Sequence, residues 1–313
     1  MTVKLRSLAK INLDLRVLNR RPDGYHELRT VFQTVSLADT IEIDYEPARR
    51  LHVEIESDPV IPGNLIEKAA EALGLPGRFR IRLQKQIPMG GGMGGGSSNA
   101  AAILLAVPFL CGKRRSLEKL IGIAAEVGSD VPFFLLGGAA GGAGRGTELC
   151  PLPDVPPYHA ILVAPGIHVS TPEAYRSLER PLTDQVPSAT LNSFQSVTWE
   201  IAAGVPPSAW PCRNDFETVV FHQHPRLKSI KGKLLKLGAK PALMSGSGST
   251  IFGVFADRGA RDRALVSLQL QYGDEKVFPV SLVGRAAYRN LWWRQLRAPM
   301  EFKLWPPQGR YAR

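Results

Sequence analysis

The sequence predicts a two-domain α+β protein, and three observations carry that prediction. The chain has 313 residues, more than a single domain of ordinary size holds at roughly 100–200 residues each. Its first half alternates apolar and polar residues with the period of two that belongs to half-exposed, mostly antiparallel strands. Its second half follows a cluster of prolines (Pro151, Pro153, Pro156, Pro157) and mixes short strands with helical spacing. The boundary is read at that cluster. With 44% hydrophobic and 21% charged residues, the chain has the composition of a soluble globular protein with ample core.

The elements follow in order. Ile11, Leu13, Leu15 and Val17 alternate with Asn12, Asp14 and Arg16, predicting a half-exposed strand. Residues 41–45, 51–56 and 79–84 repeat the pattern, and 63–73 have helical spacing. Residues 88–99 read PMGGGMGGGSSN; six glycines in seven positions exclude a regular helix or strand at low cost. Ser97, Ser98 and Asn99 are N-cap types, so an apolar helix is expected over 100–107, with another over 116–127. The second half reads as a strand at 159–164, a helix at 172–178 and a Pro/Ser-rich patch at 181–211. Helices follow at 214–221 and 225–237, a strand–loop–strand around 245–249 with its second strand at 250–255, a helix at 257–272 and a strand at 276–282.

Several classes are excluded. The longest uncharged apolar stretches, 100–112 and 131–144, fall short of the ~18–20 residues a bilayer span needs. Lys4, Arg6 and Lys10 interrupt the N-terminal residues, which do not read as a signal peptide. Cys111, Cys150 and Cys212 lie far apart with no CxxC, so neither a disulfide framework nor a zinc ribbon organises the fold, and a reducing cytoplasm is the expected compartment. The formal charge of +11 favours polyanionic partners. Residues 285–313 hold seven Lys/Arg and one acid, so the excess is concentrated at one end. That weakens a general nucleic-acid reading.

A row of glycine N–H groups running into a helix is an anion cradle, because the backbone can approach a phosphate and the helix dipole favours negative charge. A flexible linker is the plainer alternative, but linkers seldom join an amphipathic strand to a capped apolar helix. No lysine lies between Gln86 and Lys113, so a Walker A loop fails. Gly90-x-Gly92-x-x-Gly95 matches a dinucleotide fingerprint only formally. The strand before it alternates with arginines, whereas a Rossmann first strand is buried on both faces. Lys10 and Asn12 share one strand face, where a substrate oxygen or plain solvent could meet them. Asp130 stands before an apolar run, as a turn residue or as a carboxylate aimed into a cleft.

The stretch from Pro88 to Ser98 resembles the ATP loop of the GHMP kinases. Ala9-Lys-Ile-Asn-Leu13, Arg21-Pro-Asp-Gly-Tyr-His26, Gly128-Ser-Asp-Val-Pro-Phe133, Asn214-Asp-Phe-Glu217 and Ser245-Gly-Ser-Gly248 support the likeness in order and spacing over about nine-tenths of the chain. The resemblance implies an N-terminal ribosomal-protein-S5-like domain over 1–155 and a C-terminal ferredoxin-like α+β domain over 156–284, with a basic Trp-rich tail over 285–313. It implies a phosphotransferase with an alcohol acceptor, ATP as co-substrate and Mg²⁺ bridging the phosphates, with its ligands unassigned. Pro88, Met89, Gly90, Gly91, Gly92, Met93, Gly94, Gly95, Gly96, Ser97 and Ser98 would bind ATP. Asn64, a helix N-cap on composition, would lie near the adenine. Asp130 would be the general base and Lys10 would stabilise developing charge, as phosphoryl transfer asks.

The nearest likeness within the family implies a cytidine diphosphate-linked methylerythritol as acceptor and a place in isoprenoid precursor biosynthesis. Tyr25 and Tyr175 would sandwich the base, His26 would read its edge, and Asn12 and Thr171 would make polar contacts. Asn214 with Glu217 reads first as a capping box. The loop at 245–249 is a tight turn or a ligand-facing backbone. A small acceptor of the mevalonate or homoserine type would need no base sandwich, which separates those rivals. A nucleic-acid-binding module driven by the basic tail, or a phosphate-binding regulator without catalysis, are the readings from other classes. No nucleic acid or membrane partner is expected, and the chain is expected to be a monomer or weak homodimer. Two departures from the family pattern stand out. Residues 136–144 are so poor in side chains that substrate contacts there would be missing or made by backbone. The tail, with Trp292, Trp293 and Trp305, is expected to pack a helix on the second domain, or to serve as an oligomer contact or a weak anionic-surface anchor.

Overall fold

The computed structural model describes residues 1–181, 188–272, 276–298 and 304–308. The first sheet is built on two long strands, β1 (Thr2–Arg20) and β2 (His26–Glu46), which form an antiparallel hairpin through the turn at Pro22–Tyr25. Gly24 takes a φ of 85° in that turn, a conformation that favours glycine. Residues 40–46 of β2 also pair antiparallel with β4 (Gly77–Gln84), which pairs in parallel with β3 (Leu51–Asp58). Residues 28–33 of β2 pair with β5 (Ala139–Gly144), and β5 pairs with β6 (Glu148–Pro151). Helices α1 (Leu65–Leu73), α2 (Gly95–Leu110), α3 (Leu117–Val127) and α4 (Val131–Leu136) complete this unit. α2 is buried along nearly its whole length.

The second sheet has the order β10-β7-β9-β8, formed by β7 (His159–Ala164), β8 (Ala242–Met244), β9 (Ile251–Phe255) and β10 (Lys276–Ser281), all antiparallel. Helices α5 (Thr171–Ser177), α6 (Ser188–Ala202), α7 (Glu217–Gln223) and α8 (Pro225–Lys236) lie between β7 and β8 in the chain. α9 (Arg258–Gln271) links β9 to β10. This is the split β-α-β arrangement of a ferredoxin-like domain.

Three expectations are corrected. β1 is not half-exposed: Asn12, Asp14 and Arg16 are as buried as the apolar residues between them. The strand crosses three cores, with Leu5 and Leu8 in the first, Ile11 and Leu13 in the one between the sheets, and Leu15 and Val17 in the third. The 181–211 patch holds an ordered helix, α6, whose Val197 and Ile201 join the core between the sheets. The tail helix α10 (Arg285–Leu296) packs on the first unit and not on the second, because Tyr288, Trp292, Trp293 and Leu296 belong to the first core. Residues 299–303 and 309–313 of the tail lie outside the described residues.

Candidate active site

Between β4 and α2 the glycine run forms a recess of about 340 Å³, lined by Pro88, Met89, the six glycines, Met93, Ser97, Asn64 and Lys85. α2 starts earlier than expected, at Gly95. Its N-cap is Gly94 in the left-handed region (φ 67°), and no side chain caps it. Ser97, Ser98 and Asn99 therefore sit inside the first turns and are not N-caps. The carbonyls of Gly91, Gly92 and Met93 are held from behind by Thr250 N (3.3 Å), Ser245 Oγ (2.9 Å) and Lys10 N (3.0 Å). A Cβ on Gly92 would fall 2.1 Å from the Ser245 carbonyl, so glycine alone permits this approach. An uncapped N-terminus of a sixteen-residue helix opening on such a recess is built to receive an anion. Asn64 accepts from Ile66 N at 3.1 Å and caps α1, as composition implied.

Ser98 does not face the recess. Its hydroxyl is buried, donates to Leu8 O at 2.7 Å and lies 2.6 Å from Ser7 Oγ. As the fourth residue of α2 it is turned onto β1, so its hydroxyl is not the ATP contact that was expected.

A larger cleft of about 820 Å³ adjoins the recess and shares Gly92 and Gly94 with it. Lys10, Asn12, Tyr25, His26, Asp130, Thr171 and Tyr175 all line this cleft. Lys10 Nζ lies 3.3 Å from Asp130 Oδ2 and donates to Asn12 Oδ1 at 2.6 Å. Asn12 Nδ2 donates to Thr30 Oγ1 at 2.8 Å, and Thr30 Oγ1 donates to Asp14 O at 2.7 Å. The single hydroxyl proton of Thr30 is used on that carbonyl, so Thr30 can only accept from Asn12. The Asn12 amide is thereby oriented with its oxygen toward Lys10. Lys10 is 3% exposed and Asp130 33%, so the amine is held inside while the carboxylate opens to the cleft. Asp130 stands at the N-cap of α4 yet makes no side-chain cap bond. Its carboxylate lines the cleft, with Oδ2 facing the Lys10 amine.

At the far end, His26 stacks on Tyr175 (centroids 4.8 Å, 21°), and Tyr175 meets Phe216 edge-on. The Arg145 guanidinium lies 3.5 Å from the Tyr25 ring centroid. Thr171 Oγ1 is 2.7 Å from Ser247 Oγ. Burial, then the charges of Arg20 and Arg180, pull the His26 imidazole below its ordinary range. Burial, then Asp130, push the Tyr175 phenol up. Four arginines of this cleft (Arg20, Arg145, Arg176, Arg180) were missed by sequence reasoning. Only Arg145 left a signal, as the lone charge closing the glycine/alanine stretch. The loop at 245–249 presents Gly246 and Ser247 to the larger cleft. Asn214 and Glu217 do not close a capping box. Asn214 Nδ2 donates to Met244 O and Gly246 O, and Glu217 accepts from Met244 N, so both brace that loop.

A glycine-lined recess abutting a larger cleft that holds an Asp–Lys pair is the arrangement of a small-molecule kinase of the GHMP class. The GHMP kinases N terminal domain matches residues 64–138 and the GHMP kinases C terminal domain matches 208–274. A 4-diphosphocytidyl-2-C-methyl-D-erythritol kinase of Solibacter usitatus is 52% identical over 98% of this chain and 97% of its own. A crystal structure of 4-(cytidine 5'-diphospho)-2C-methyl-D-erythritol kinase superposes with a TM-score of 0.74 at 36% identity, over 90% of this chain and 99% of that one. Homoserine kinase from Cytophaga hutchinsonii shares the fold (TM-score 0.66, 20% identity, 91% and 95% coverage). The chain belongs to the GHMP kinase family, among its 4-diphosphocytidyl-2-C-methyl-D-erythritol kinases.

Proposed function

We propose that this kinase transfers the γ-phosphate of ATP to the 2-hydroxyl of 4-diphosphocytidyl-2-C-methyl-D-erythritol, a step of non-mevalonate isoprenoid precursor biosynthesis. The observation that carries the reading is the junction: recess and cleft meet at Gly92 and Gly94, with Lys10 and Asp130 3.3 Å apart on the acceptor side. ATP, as its Mg²⁺ complex, lies with its phosphates along 90–97 and its base toward Asn64. No side chain is assigned to the metal. Among the described residues no three His, Cys, Asp or Glu stand together as a metal cage.

Asp130 takes the proton of the acceptor hydroxyl. The oxygen attacks the γ-phosphorus in line, the bond to the β-γ bridging oxygen breaks, and ADP leaves. Lys10 neutralises charge growing on the transferring group, and Asn12, pinned by Thr30, orients Lys10. The cytosine lies between Tyr25 and Tyr175 with His26 at its edge. Thr171 contacts the substrate, and the arginines of the cleft face its diphosphate. A rearrangement of Arg145 off Tyr25, and of His26 off Tyr175, belongs to this reading. The division into 1–155, 156–284 and 285–313, a monomer or weak homodimer, and a cytoplasmic setting complete the proposal. Among the described residues no helix is long and apolar enough to cross a membrane.

The test is an ADP-release assay with cytidine-bearing and plain alcohol acceptors. Turnover is expected with the cytidine-bearing acceptor alone; equal turnover with mevalonate or homoserine would overturn the acceptor. Asp130→Asn is expected to lose about 10²–10⁴-fold in kcat while ATP still binds. Near-normal turnover would remove Asp130 from the role of base.

A further inference from the structure

We infer that the C-terminal segment holds the catalytic aspartate in register: Tyr288 and Trp305 are positioning residues for Asp130. The inference rests on the reading of Asp130 as base and goes beyond it. α4 carries Asp130 at its head and is six residues long. Helices that short are not stable by themselves, and the last four carbonyls of any helix lack partners within it. In α4, Phe133 O accepts from Gly137 N at 2.9 Å. Phe134 O accepts from the Tyr288 hydroxyl, and Leu135 O accepts from Trp305 Nε1 at 2.8 Å. Two of these three donors therefore come from the tail.

The chain leaving α4 is shaped to receive that tail. A Cβ on Gly137 (φ 67°) would fall 2.2 Å from Tyr288 Cδ1, and one on Gly138 (φ 72°) would fall 2.6 Å from Arg285 N. The absence of side chains at 137 and 138, read from sequence as substrate contacts missing or made by backbone, is the room that α10 occupies. α10 is itself anchored at both ends. Asp154 accepts from Arg285 N and Ala286 N, and Gln295 Oε1 accepts from Arg6 N at 2.6 Å. Trp293 Nε1 donates to Leu304 O at 3.1 Å and its ring meets Trp305 edge-on, so α10 and residues 304–308 form one pad beneath α4. Burial pushes the Tyr288 phenol up, so it remains a donor throughout the working pH range. The related crystal structure is matched over 99% of its chain and only 90% of this one, so about a tenth of this chain has no counterpart there.

A base displaced by 1 Å can cost about a hundredfold in rate, so loosening α4 acts on kcat first. The experiment uses the full chain with Tyr288→Phe, which keeps the ring against Gly137 and removes the donor, and with Trp305→Phe. Ile230→Val, a methyl lost from the core under α8, is the stability control. Each tail variant is expected to lower kcat about tenfold with KM for ATP unchanged, whereas Ile230→Val leaves kcat alone. In the Asp130→Asn background, Tyr288→Phe is expected to add nothing to the residual single-turnover rate, because the two act through one group. Unchanged kcat in both folded tail variants, or the same fractional loss without the aspartate, would overturn the inference while leaving the base assigned. Normal turnover by Asp130→Asn alone would overturn the base and this inference with it. If Tyr288→Phe does not fold, Trp305→Phe carries the same comparison.

Discussion

β1 and β4 look alike in sequence and end in opposite surroundings. Both alternate apolar residues with charged or polar ones. In β4 the arginines Arg78, Arg80 and Arg82 face solvent, strictly alternating with buried Phe79, Ile81 and Leu83. They pair across the sheet with acids on both neighbours: Arg82 with Glu42 at 2.8 Å and Glu56 at 3.7 Å, Arg80 with Glu54 at 3.5 Å. In β1 the polar row is covered instead. Lys10 and Asn12 meet the cleft, and Asp14 and Arg16 form a fully buried ion pair at 2.7 Å. Arg16 also donates to the carbonyls of Thr190 and Ser193 on α6. The lesson is that alternation reports which residues share a face, and says nothing about what covers that face.

Three substitutions sharpen the contrast. The largest effect is expected from Arg16→Met, which leaves Asp14 buried without its partner. A loss of about 3–5 kcal/mol in urea denaturation is expected, as for other broken buried pairs. A change below 1 kcal/mol would mean that the buried row resembles the exposed one after all. Burial already raises the Asp14 pKa, so part of the loss is expected to be recovered as pH falls and the stranded carboxyl takes a proton.

Thr30→Val comes next. It keeps the shape and removes the hydroxyl that fixes Asn12, leaving a buried amide donor unpaired at a cost of about 1–3 kcal/mol. Because Asn12 orients Lys10, kcat is expected to fall about 10–100-fold, the scale of a misplaced catalytic group, with KM for ATP unchanged. Wild-type kcat would detach Thr30 from the relay. The smallest effect is expected from Arg82→Ala on the exposed face, within about 1 kcal/mol and smaller still in high salt. A loss as large as that of Arg16→Met would erase the distinction between the two strands.

Much of the fold was legible. β7 coincides with the predicted 159–164 strand, and β9, α9 and β10 lie within a residue or so of prediction, because period and end signals are local. The start of α2 was misplaced because the glycines before it carry no propensity signal, and only the packing of Ser245 and Phe134 against Gly92 and Gly94 decides that the helix begins there. The four arginines of the cleft come from three stretches far apart in sequence, at 20, 145 and 176–180, so no local pattern could collect them. α10 was assigned to the wrong unit for the same reason: its apolar stripe says that it packs, not on what.

The amino-acid sequence by itself determined the alternating strands, the phosphate-type glycine loop and the pairing of residue types, lysine with aspartate, that the chemistry needs. Tertiary structure decided which polar row faces water and which faces a cleft. It also decided that the Lys10 amine lies 3.3 Å from the Asp130 carboxylate and that the tail underpins the short helix bearing that aspartate. The physical reason is range. Backbone preference and periodicity act over a few residues, whereas burial, hydrogen-bond direction and contact between charges depend on segments that can lie more than a hundred residues apart, as Lys10 and Asp130 do.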